Sequence, residues 1–201
     1  MRSRLFAALV LTLAATVSAQ AADGVPVPVE KPKAAPAPVL TKAQKLDALF
    51  ADLKKAKSAA VAEGVASRIW ESWNDSGSAS INLLMQWSQE AMDRQRFPVA
   101  LDFLDQVVVL KPTYAEGWNK RATLHFMMNN YSKSMADIEK TLKLEPRHFG
   151  ALSGMGHIFL ALERKELALK AYERALEIYP MMRGVQKQVG EIADELSGSQ
   201  L

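Results

Sequence analysis

Pro112, Pro146 and Pro180 stand 34 residues apart, and most of the residues around them recur at the same interval. A period of that length implies one supersecondary unit repeated in tandem, because a two-helix hairpin cannot cover its own apolar face and must stack on neighbours. The chain of 201 residues is too short for more than one or two domains, so the repeat and its flanks account for nearly all of it.

The columns of the repeat follow from the geometry of paired helices. Leu84, Trp118 and Leu152 stand near the start of each first helix, followed by Trp87, Arg121 and Met155 and then by the small residues Ser88, Ala122 and Gly156. Ala91, His125 and Phe159 complete that helix. The second helix carries Ala100, Ser134 and Ala168, then Leu104, Ile138 and Tyr172, then Val107, Thr141 and Ala175. Small residues belong where two backbones approach, and large apolar ones fill the space around that point. The closing proline lacks an amide proton and biases the residue before it away from helix, so it ends the second helix.

These columns resemble the tetratricopeptide repeat family. Leu152, Met155-Gly156, Phe159, Ala168, Tyr172 and Pro180 match its pattern best, and residues 81–180 carry three copies, at 81–114, 115–148 and 149–182. The second copy departs at Arg121 and His125, where apolar or aromatic residues are usual. The resemblance implies an all-α, right-handed α-α solenoid of about nine helices that binds other proteins and performs no catalysis.

The flanks read differently. Residues 1–22 have a basic start at Arg2 and Arg4, an apolar stretch from Leu5 to Ala15, and small-residue cleavage sites after Ala19 or Ala21, the pattern of an export signal. Residues 23–40 hold Pro26, Pro28, Pro32, Pro36 and Pro38 and are expected to form an extended spacer. Residues 41–78 repeat the pattern weakly: Phe50, Leu53, Ala66, Trp70 and Trp73 keep apolar columns, while Lys54 and Lys57 replace the small and aromatic ones. We expect a divergent helical pair there, capped by Thr41 and covering the N-terminal end of the stack. At residues 183–197, Val185, Val189, Ile192 and Leu196 share one helical face opposite Gln186, Lys187, Glu191, Asp194 and Glu195, as a C-terminal capping helix requires.

Composition narrows the chemistry. There is no cysteine, which excludes disulfides, thiolate metal sites, cysteine nucleophiles and a lipid-modified cysteine anchor. Without Arg2 and Arg4 the balance is 23 basic to 22 acidic residues, a formal +1 that does not favour nucleic acid. Of the three histidines, His125 falls in a core column, His148 in a turn expected to face solvent, and His157 on the inner face of a first helix. No two have the spacing of metal ligands, and no nucleophile–base pair or phosphate-binding loop is visible, so no cofactor and no metal are expected. A ligand site at His157 stands as the minor alternative.

First helices line the concave side of such a stack, the side on which the family holds peptides. By column this places Asn82, Met85, Gln86, Gln89, Glu116, Asn119, Lys120, Thr123, Met127, Ser153 and His157 inward as the partner-binding groove. Phe126 and Leu160 stand equally as groove or as inter-repeat core. The expected protein is an exported, periplasmic scaffold or adaptor with a protein or peptide partner and no membrane span after signal cleavage. The alternative is a homo-oligomer formed through the array edges.

Overall fold

A computed structural model of the chain describes residues 40–198; the export signal expected at 1–22 and all but the last residue of the spacer expected at 23–40 lie outside these. The described residues form nine helices and no strand: α1 Lys42–Lys55, α2 Ala59–Asn74, α3 Ala79–Asp93, α4 Phe97–Leu110, α5 Ala115–Met127, α6 Tyr131–Leu144, α7 Phe149–Ala161, α8 Lys165–Ile178 and α9 Arg183–Gly198.

Each 34-residue unit becomes one helical hairpin, α3–α4, α5–α6 and α7–α8, and the second helix of each leads into the first helix of the next. Local chemistry sets the ends. Thr41 and Gln44 form a reciprocal capping box at the start of α1, with the Gln44 amide donating to Thr41 Oγ1 at 3.2 Å and the Thr41 amide to Gln44 Oε1 at 2.9 Å. The first helices all stop in the same way, on a left-handed residue at equivalent positions: Gln95 (φ 55°), Asn129 (φ 58°) and Glu163 (φ 57°). The amide one residue further on folds back to the last turn, Arg96 to Ala91, Asn130 to His125 and Arg164 to Phe159, each at 2.8 Å. This satisfies carbonyls that would otherwise be orphaned, and it closes the hairpin without glycine.

Close approach then fixes the packing. Ser88, Ala122 and Gly156 are the small residues of the first helices, and Ala100, Ser134 and Ala168 face them fully or nearly fully buried. The Ser134 hydroxyl donates to the Ala122 carbonyl at 2.7 Å, which satisfies a buried polar group across the interface. A Cβ built on Gly156 would stand 2.3 Å from the ring of the fully buried Tyr172, so only glycine admits that ring. At the C-terminus α9 lays Val185 and Ile192 on α8 while Gln186, Lys187, Glu191, Asp194 and Glu195 stay exposed. Lys165 on α8 pairs with Glu195 at 2.6 Å.

The N-terminal pair departs from expectation. It does not cover the N-terminal end of the stack; α1 and α2 lie across the turns that join successive repeats. Lys111 donates its ammonium to the Ser76 carbonyl, and the Tyr114 hydroxyl donates to the Asn74 carbonyl at 3.0 Å. Arg147 in the next turn pairs with Asp47 at 2.7 Å and sits 4.2 Å over the Phe50 ring. In the last turn Tyr179 joins a core with Leu53, Ile69, Trp73 and Phe149, flanked by Met181 and Met182. The physical reason lies in the same columns that made the copy divergent. Lys54 and Lys57 are exposed and supply no packing surface, whereas Trp70 and Trp73 need a large apolar recess. They find it at the start of α7, where a Cβ on Gly150 would stand 2.6 Å from Trp70. The pair acts as a clasp across one edge of all three repeats.

Candidate functional site

The clasp gives the concave side a wall. A cavity of about 550 Å³ lies between α2, α3 and α5. Gln89 and Asp93 come from α3, Asn119, Lys120, Thr123 and Met127 from α5, and Trp70 and Asn74 from α2. A second cavity of about 300 Å³ continues along α3 past Asn82, Met85 and Gln86, sharing Asn74, Gln89 and Lys120 with the first. A third of about 60 Å³ opens between α5 and α7 at Asn119, Thr123 and His157. Ten of the eleven inward residues expected from the repeat register therefore line these cavities. Ser153 is buried on α7 and lines none of them.

Their chemistry is mostly amide. Lys120 Nζ donates to Gln89 Oε1 at 2.8 Å, and Gln89 Nε2 donates to Asp93 Oδ1 at 2.7 Å, so one chain of hydrogen bonds ties α5 to α3 across the floor. Asn82 Oδ1 accepts from the Ser76 amide at 3.0 Å, fixing the far end. Met127 is 44% exposed and presents a flexible apolar side chain at the rim, whereas Met85 is buried and contributes mainly to the core of the first repeat. Phe126 and Leu160 are half-buried: Phe126 packs against the core cluster shared by α5, α6 and α7 and also lines the third cavity, whereas Leu160 packs against the core of the third repeat and α9.

Two expectations are corrected here. His148 does not face solvent: it is fully buried. The clasp covers its turn, and Trp73 stacks on the ring at 4.1 Å between centroids and 7° between planes. Its Nδ1 accepts the Ala151 amide at 3.1 Å and so caps α7, which places the proton on Nε2, 3.0 Å from Glu116 Oε2. Glu116 is accordingly not a free groove carboxylate. It is 3% exposed, accepts from His148 and from Asn119 Nδ2 at 3.1 Å, and positions Asn119 at the cavity edge from beneath.

The other two histidines stand on α7 and α5. His157 is exposed on one side and meets the Tyr172 hydroxyl through Nδ1 at 2.8 Å. Desolvation by burial lowers its pKa, and burial pushes Tyr172 up to about 12. His125 is buried between repeats with Nε2 4.0 Å from Asp137 Oδ2 and Nδ1 without a hydrogen-bond partner, and burial lowers its pKa as well. Beside it Arg121 grips Asp137 through Nε at 2.8 Å and Nη2 at 2.7 Å, and reaches Asp105 on α4 through Nη1 at 2.8 Å. The unusual Arg121 and His125 are thus one polar knot joining the first two repeats. Among the described residues no group of three His, Asp or Glu side chains has the arrangement of a metal site, and no helix is long and apolar enough to cross a membrane.

Trp70 and Asn74 are the wall residues that repeat register does not point to, since they belong to the segment where the pattern fails. The available signal is two tryptophans three residues apart on one helix, a large apolar surface in search of a partner.

Comparison with known proteins bears on the same region. The family model for the tetratricopeptide repeat matches residues 150–180. A TPR repeat-containing protein of Rhizobium etli is 54% identical over 156 residues, which span 78% of this chain and 76% of that protein. Small glutamine-rich tetratricopeptide repeat-containing protein 2 of Saccharomyces cerevisiae is 27% identical over 117 residues, 58% of this chain and 34% of that protein. Among solved structures, the first TPR of Spaghetti (RPAP3) bound to an HSP90 peptide aligns with a TM-score of 0.55 at 21% identity, covering 58% of this chain and 93% of that one. MamA aligns with a TM-score of 0.55 at 18% identity, covering 68% and 80%. At these identities the structural likeness speaks for the fold.

Proposed function

Because the chain belongs to the tetratricopeptide repeat family, we propose that its concave groove holds an extended segment of another polypeptide, as a non-catalytic adaptor. The observation that carries this reading is the continuous amide-lined cavity between α2, α3 and α5, about 550 Å³ and joined to a second of about 300 Å³. Volumes of this size suit a bound segment of several side chains. Each Asn and Gln amide offers both a donor and an acceptor, so it can bond the backbone of a peptide whatever its sequence. Met127 adapts to varied side chains, and Lys120 adds a cation for a carbonyl or carboxylate. The peptide held in the Spaghetti structure supports this use of the fold.

We place this adaptor in the periplasm of a Gram-negative-type cell, serving envelope assembly or protein maturation. The basic, apolar and small-residue order of residues 1–22 supports export. One in-cell experiment tests both parts. A photo-crosslinking residue at Gln89 is expected to trap a partner, and osmotic shock is expected to release a chain beginning at Gln20 or Ala22. Equal trapping from the outward-facing Leu167, 37% exposed on α8, would move the binding surface elsewhere. Retention of the full chain with the cytoplasm would overturn the placement.

A further inference from the structure

The Trp87 column is where a repeat meets the one before it. Arg121, one period on, reaches back from α5 to Asp105 on α4 at 2.8 Å. Met155, two periods on, packs from α7 against the cluster that holds Ile138 of α6. Among the described residues the first repeat has no such neighbour, because Trp70 and Trp73 draw α1 and α2 away onto the turns. Its outer face is left bare: Leu83, Trp87 and Val99 are 41%, 42% and 43% exposed, and Leu110 is 65% exposed. Trp87 and Phe103 lie ring to ring at 5.6 Å across α3 and α4. With Val99 they border a depression of about 320 Å³ rimmed by Glu90, Arg94 and Arg96.

We propose that two copies of this chain pair through the outer faces of α3 and α4. Three features select a second copy. At the opposite end of the stack α9 turns outward the exposed Gln186, Lys187, Glu191 and Asp194, a polar face that does not match this apolar one for head-to-tail addition. The bare face carries both charge signs around an apolar centre, so a two-fold axis sets Glu90 of one copy against Arg94 and Arg96 of the other. A patch of one sign would repel its own copy. The face also offers both a ring and a recess, so each Trp87 can enter the depression beside the partner copy's Phe103. An isologous contact of this kind closes on itself and stops at the dimer. The pair would present two grooves, and a partner carrying two segments would gain avidity from both.

Light scattering on the purified full chain, from low micromolar to near-millimolar protein, tests this. The expected mass rises with concentration to twice that of the monomer. Trp87→Glu is expected to hold the monomer mass at the highest concentration with an unchanged helical circular dichroism spectrum. Val61→Glu, at a site 56% exposed on α2, is expected to leave the dimer intact. Should Trp87→Glu fold poorly, Arg94→Glu serves instead: it is expected to weaken pairing about tenfold, and adding Glu90→Arg to restore it. A monomer at every concentration overturns the proposal, including one that takes up a different protein on this face. A Trp87→Glu chain that dimerises like the wild type overturns the surface.

Discussion

Trp73→Ala is expected to destabilise the chain by about 3–5 kcal/mol, the range for truncating a buried tryptophan. Trp73 is 7% exposed and touches four rings: Phe50, Trp70, His148 and Phe149. It is the residue through which α2 holds the turn between the second and third repeats. Its loss therefore opens the clasp first, and hydrogen exchange is expected to show α1 and α2 unprotected while α3 to α9 stay closed. Trp73→Phe should cost much less, because the indole Nε1 has no hydrogen-bond partner and its removal leaves no polar group orphaned. Urea unfolding checks the magnitude. A loss below about 1 kcal/mol would mean that α1 and α2 are held by something other than this ring.

Arg121→Met is expected to cost about 3–5 kcal/mol, because it leaves the Asp137 carboxylate buried without its partner. The Asp137 side chain is 6% exposed, and that of Arg121 18%. His125 at 4.0 Å is held neutral by burial and is a poor substitute for the guanidinium. The third repeat shows the apolar solution to the same junction, with Met155 and Ala171 at the equivalent positions. The double variant Arg121→Met with Asp137→Ala copies that solution and is expected to return to within about 1 kcal/mol of the wild type. Denaturant melts of the four chains in the cycle give the coupling directly. Additive losses would show that Arg121 and Asp137 do not depend on each other.

Much of this architecture is written locally. Helices α3 to α8 follow from the 34-residue recurrence because each hairpin closes on residues within its own period, and α9 follows from one amphipathic face. The groove was legible for the same reason: once the register is known, the inward positions of α3 and α5 are fixed by helix geometry. The placement of α1 and α2 was not. It depends on Trp70 and Trp73 meeting Gly150, His148 and Phe149, residues some 75 positions away in the chain, and no local pattern encodes that meeting. The reading of His148 failed with it, since a turn residue faces solvent only if nothing lies over the turn. Gln95, Asn129 and Glu163 end their helices in a left-handed conformation that usually advertises itself as glycine, and here the signal is muted. Arg121 was visible as an anomaly, but its partner Asp137 lies on another helix and becomes apparent only when the two are packed.

We propose that the amide-lined floor between α3 and α5 binds a polypeptide segment. Gln89 and Lys120 are the pair that joins those helices, and both line the two larger cavities. The most direct measurement is the affinity of a peptide selected from a displayed library against the wild-type chain, read by fluorescence anisotropy for the wild type and for Gln89→Ala with Lys120→Ala. The Kd is expected to rise about tenfold or more in the variant, with helical content unchanged. An unchanged Kd would contradict it.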